Sequence, residues 1–123
     1  MSPLDPHEKD AMAMLIEEHP ETETLRRQVN AAVVVSTQIS EGAIIRELKI
    51  PPALPQISDT SDATLSGVDA EFENGSVCGF LLFLRGGYVE ALELFSFDDS
   101  LPDFDQRYTV RQTTVIRGDC QIG

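Results

Sequence analysis

The chain has 123 residues, the length of one ordinary domain, and its 41% apolar and 24% charged content is that of a packed globular protein rather than a disordered or collagen-like one. Nine basic against 21 acidic side chains give a net charge of −12. Such a charge repels nucleic acid instead of steering it, and no apolar run reaches the roughly 18–20 residues of a membrane span. The start, MSPLDPHEKD, lacks the basic and apolar regions of a signal peptide, so a soluble, cytoplasmic protein is expected.

Along the chain the first signal is Asp5-Pro6-His7-Glu8: a capping residue, a proline at the first helical position and a glutamate three residues after the cap. Ala11, Met12, Leu15 and Ile16 recur at helical spacing, so the first helix buries one stripe and stops near His19-Pro20. Leu25 and Val29 predict a second, short helix from Pro20. From Ala31 the residues turn β-branched. Val33-Val34-Val35, Thr37 and Ile39 predict a strand, Ser40-Glu41-Gly42 a turn, and Ala43–Ile50 the returning strand. Pro51-Pro52 and Pro55 end it, and residues 51–64 read as a loop.

Val68, Ala70 and Phe72 alternate with Asp69, Glu71 and Glu73, the pattern of a half-buried strand, and Asn74-Gly75 supplies a turn. Val77–Leu84 is apolar at every position apart from Gly79, as expected of a central strand covered on both faces. Arg85-Gly86-Gly87 marks a tight hairpin with Tyr88–Phe97 as its second strand. Strict alternation there puts Val89, Ala91, Glu93, Phe95 and Phe97 on one face and Tyr88, Glu90, Leu92, Leu94 and Ser96 on the other. Residues 98–103 form a polar loop, and Tyr108, Val110, Val115 and Ile116 allow a last strand or short helix. The expected fold is α+β: a single domain, helical over 1–30 and mainly sheet over 31–123, with N-terminal helices packed on an antiparallel sheet of about five to six strands.

Acidity is concentrated. Residues 53–105 hold eleven acids against Arg85 alone, whereas residues 31–52 balance and 106–123 carry a surplus of two positive charges. This segment serves either solubility or a surface complementary to a basic partner. Within it Glu93 stands between Ala91 and Phe95 on an apolar face, and two roles are open to it: a structural pair with Arg46, Arg107, Arg111 or Arg117, or a binding or catalytic carboxylate. Tyr88 and the turn acids Asp98, Asp99, Asp103 and Asp105 complete the candidate binding set.

No metal is expected at those aspartates, because an EF-hand needs acids at alternating positions with a central glycine and a closing glutamate. Nor is a disulfide expected: Cys78 lies in a core strand and Cys120 near the terminus. The sequence holds no nucleophile elbow, phosphate-binding loop, dinucleotide glycine pattern or paired CxxC, so neither a catalytic residue nor a cofactor is assigned.

The block Gly79–Asp99 (GFLLFLRGGYVEALELFSFDD), followed by Leu101-Pro102, resembles a family of small uncharacterised bacterial proteins. That family carries a G-F-L-L-F segment, a glycine turn, an L-E strand and an acidic turn with proline. The His19-Pro20-Glu21 break is similar to that family's helix break. The resemblance implies no nameable activity; by analogy of type, small acidic proteins of this kind act as immunity partners of secreted toxins. Two functions are therefore carried forward. One is a non-enzymatic acidic binding protein, such as a bacterial immunity protein for a basic toxin domain. The other is a small-ligand-binding or catalytic domain using semi-buried Glu93.

Overall fold

A computed structural model describes residues 2–97 and 108–112. The elements follow in the order β1 (Ser2–Pro3), α1 (Pro6–Ile16), α2 (Thr22–Ala31), β2 (Val33–Ser40), β3 (Ala43–Lys49), β4 (Ala63–Phe72), β5 (Val77–Arg85), β6 (Tyr88–Ser96) and β7 (Tyr108–Gln112). The strands form one antiparallel sheet in the spatial order β1-β2-β3-β6-β5-β4-β7. The architecture is α+β, as the order of helical and strand patterns implies. Among the described residues the sheet has seven strands rather than five or six: Tyr108–Gln112 takes the strand alternative, as β7 beside β4, and two-residue β1 adds to the edge of β2.

Asp5 caps α1 in the expected manner: its carboxylate accepts from the His7 N–H at 2.8 Å while Glu8 reaches back to the Asp5 N–H at 3.3 Å. α1 ends at Ile16, ahead of the expected break. The imidazole of His19 then accepts from the Glu21 N–H at 2.9 Å, and α2 starts two residues beyond Pro20. Ala11, Met12, Leu15 and Ile16 of α1 and Leu25 and Val29 of α2 pack on one face of the sheet. There they meet Ile57 and the buried side chains Val34, Leu48, Val68, Ala70, Phe72, Cys78, Phe80, Leu82, Leu84, Leu92 and Leu94. No helix among the described residues is long and apolar enough to cross a membrane.

Three bulges break the alternation, the first at Val35 of β2. In β4 the extra residue lies between Leu65 and Val68, where Gly67 adopts φ +106°, a backbone angle that a side chain would strain. In β6 the shift falls at Glu90, since Ala91 pairs Phe83 while Val89 pairs Leu84. Val89 therefore joins Leu92 and Leu94 on the helix side, and Tyr88, opposite Arg85, moves to the other face. Strict alternation gives the reverse for both residues; the bulge is the reason. The β5–β6 turn uses Gly86 (φ +60°) and Gly87 (φ +85°), two consecutive positive angles that suit a two-residue hairpin.

Packed above that turn is residue 28. Gln28 is fully buried on α2, and its amide nitrogen donates to Pro55 O at 3.0 Å and Gly87 O at 3.1 Å while its carbonyl accepts from the Val89 N–H at 2.8 Å. The Ile57 N–H also donates to Gly87 O at 2.9 Å. One side chain thus ties a helix, a loop and the central hairpin together.

Candidate functional site

Residues paired across an antiparallel ladder project to the same side, so the registers define the face that the two helices leave open. Ile45, Glu93 and Leu81 form one cross-strand row. Ala43, Phe95, Gly79 and Asp69 form the next, and Glu47, Ala91, Phe83 and Thr64 a third. Ile45, Leu81, Phe83 and Phe95 are only half-buried. The expectation that Val77–Leu84 is covered on both faces holds for the helix side; on this side Leu81 and Phe83 retain solvent contact among the described residues. Placing β5 beside β6 at the middle of the sheet agrees with the structure.

Phe95 owes its position to its neighbour. A Cβ on Gly79 would lie 2.5 Å from the tip of the Phe95 ring, so the ring rests across the bare glycine backbone. Phe97 meets Phe95 edge to face with centroids 5.3 Å apart, and 63% of its surface is exposed.

Glu93 occupies the centre of this apolar surface. It has no ion pair among the described residues. Arg46 cannot reach it, because Arg46 pairs Leu92 in the ladder and so projects to the helix side, where it bonds Glu8 of α1 and donates to Thr37 Oγ1 at 3.1 Å. Arg111 bonds Glu71 at 2.7 Å instead. Arg107 and Arg117 lie outside the described residues. Arg85 stands between Asp62 at 3.9 Å and Glu90 at 3.4 Å, and Glu47 bonds Ser36. Among the described residues, Arg46, Arg85 and Arg111 thus bond other carboxylates, and Glu93 has no ion pair.

Tyr88, half-buried, lies at the end of the open face and lines a concavity of about 310 Å³ with Leu48, Lys49, Pro52 and Glu90. A second concavity, about 370 Å³, runs along Asp62, Thr64, Phe83, Arg85 and Ala91. Glu93 lines neither. Asp98, Asp99, Asp103 and Asp105 lie outside the described residues, so the structure brings Glu93 and Tyr88 to one face and places none of the four aspartates.

A larger concavity, about 550 Å³, lies elsewhere, between the start of α1 and the β4–β7 edge, and is lined by His7, Glu71, Phe72, Glu73, Tyr108 and Thr109. The Tyr108 ring packs on His7 and Phe72 at centroid distances of 4.8 and 4.9 Å. Burial, reinforced by the nearby carboxylates of Glu8 and Asp5, pushes the Tyr108 hydroxyl well above the usual tyrosine range. His7 Nδ1 lies 3.3 Å from Asp5 Oδ1, an arrangement that orients an imidazole. No cysteine or serine stands among the lining residues for it to activate. Cys78 is fully buried in β5, and no group of three His, Cys, Asp or Glu side chains suited to a metal ion occurs among the described residues.

Sequence reasoning passed over Glu8–Arg46 and Gln28. Glu8 was legible only as a capping residue, and nothing local in an amphipathic helix marks one glutamine as the buried one. Comparison with known proteins finds no family model, no curated protein and no solved structure that matches the chain.

Proposed function

We propose that the chain is a non-enzymatic acidic binding protein whose open sheet face takes a basic protein domain, in the way an immunity protein covers a basic toxin domain. The observation that carries this reading is Glu93: a carboxylate with no ion pair among the described residues, at the centre of the half-buried apolar surface of Ile45, Leu81 and Phe95. A partner's arginine or lysine reaching Glu93 would meet an acid ringed by apolar contacts that exclude water, the arrangement of an interface hot spot. Glu93 lines none of the concavities described above, which favours a protein surface over a small ligand.

The test is binding between the purified chain and a basic domain encoded beside it. Glu93→Lys lowers affinity at least about 30-fold, the loss typical of a hot-spot residue. The association rate falls steeply as salt shortens the screening length from about 10 Å at 0.1 M to about 3 Å at 1 M. Absence of a complex, or a complex indifferent to both Glu93→Lys and salt, rules the reading out.

A further inference from the structure

β2 is the outer strand over most of its length. β1 covers only Val33 and Val34, and its Pro3 blunts that part of the edge. A bulge at Val35 follows, and beyond it Ser36–Ser40 pairs, among the described residues, with β3 on the inner side alone. Such an edge is a template for another strand, and proteins usually guard it with charge or proline. Here neither is present: residues 31–40 read AAVVVSTQIS, without a single charged side chain in a chain where 24% are charged. Ile39 (68% exposed) and Val35 (44%) on this strand are two of the three large apolar residues that stand exposed among the described residues.

We infer that Ser36–Ser40 is a self-association edge, where two copies of this chain pair their β2 strands antiparallel about a two-fold axis at Gln38. The choice of occupant follows from charge. Two copies carrying −12 each repel over most of their surfaces and can approach only where a strip is neutral, whereas an edge made for a basic partner would carry acids. The segment is also nearly self-complementary, because Ser-Thr-Gln-Ile-Ser reads similarly in both directions. With the axis at Gln38, Ser36 faces Ser40 of the second copy, Thr37 faces Ile39, and the two Gln38 amides face each other. Each β-branched residue then meets a β-branched partner on the helix side, and no like charges are opposed. Five residues span about 17 Å, a small interface, so the pairing is reversible and concentration-dependent. It would join two seven-stranded sheets edge to edge and leave both open faces accessible. The inference does not depend on the partner proposed above.

Sedimentation equilibrium of the chain alone tests it. The average mass rises from 13.5 kDa towards twice that value as concentration approaches about 1 mM. It rises further as salt goes from about 0.05 M to about 0.5 M, because screening relieves repulsion between like-charged copies. This is opposite in sign to the salt effect expected for a basic partner, so failure of either idea is separable from the other. Gln38→Lys and Gln38→Glu, each placing like charges against one another at the axis, are monomeric alone, and an equimolar mixture of the two restores the dimer. A chain that stays monomeric throughout, a dimer that survives Gln38→Lys, or a mixture that fails to re-associate overturns the inference.

Discussion

Replacing Gln28 by alanine removes a side chain that completes hydrogen bonds at three backbone positions. Their fates differ. Gly87 O keeps the Ile57 N–H as a donor, but the Val89 N–H loses its acceptor and Pro55 O loses the Gln28 donor. A buried polar group left unpaired costs about 1–3 kcal/mol, and truncation at a fully buried site adds a cavity, so the total is about 3–5 kcal/mol. That is a large share of the roughly 5–15 kcal/mol that holds a domain of this size together. Urea unfolding followed by far-ultraviolet circular dichroism measures it, a suitable probe because the chain contains no tryptophan. Gln28→Glu is the sharper variant. It preserves shape and the acceptor for Val89, yet at neutral pH its second oxygen faces the carbonyls of Pro55 and Gly87 with no proton to donate. The folded state therefore holds that proton more tightly than the unfolded chain, whose glutamate titrates near 4.3. Relative to the parent, Gln28→Glu keeps most of its stability below about pH 4 and loses it as pH rises through the raised folded-state value. If Gln28→Ala costs less than about 1 kcal/mol, or Gln28→Glu matches the parent at pH 7, the bonds at this junction do not hold helix, loop and hairpin together.

Two further outcomes bear on the site and its surroundings. Gly79→Val drives the Phe95 ring off the sheet and lowers stability by about 1–3 kcal/mol, read as a drop in Tm; an unchanged Tm means that the ring does not depend on the bare glycine. Because the Tyr108 hydroxyl is held above its unfolded value near 10, the unfolded chain ionises first at high pH, and stability falls as pH rises past about 10. Urea melts from pH 9 upward show a shallower fall in Tyr108→Phe, and an identical slope in the two proteins removes burial as the cause.

Much of the architecture was legible because local chemistry and tertiary packing agree. The Asp5-Pro6-Glu8 start, the Glu41-Gly42, Asn74-Gly75 and Gly86-Gly87 turns and the apolar run over β5 each state one structure at short range. What escaped depends on register. The bulge at Glu90 adds no sequence signature, yet it exchanges the faces of Val89 and Tyr88. Arg46 and Glu93 could be proposed as partners until β3 was paired with β6, when a one-residue offset in register put them on opposite sides. Glu93 on an apolar face was visible from alternation alone, because it lies beyond the bulge. The openness of that face was not, since a strand's composition does not reveal whether a second layer covers it.

The strand order also has kinetic consequences. β4, β5 and β6 meander through two tight turns, and β2–β3 is a separate hairpin, so each unit closes with local contacts. Their union does not: β3 must find β6, with Ile45 opposite Glu93, 48 positions further along the chain. Loop-closure entropy of that kind is met before the contacts that reward it, so the β3–β6 seam is the slow, non-local step of assembly. Until it forms, the inner edges of β3 and β6 are unpaired and expose Ile44, Leu92 and Leu94, all buried in the finished sheet. Gln28 bonds one side of this seam from α2 and Arg46 bonds α1 from the other, which makes the helices the clasp that holds two independently formed pieces of sheet in register.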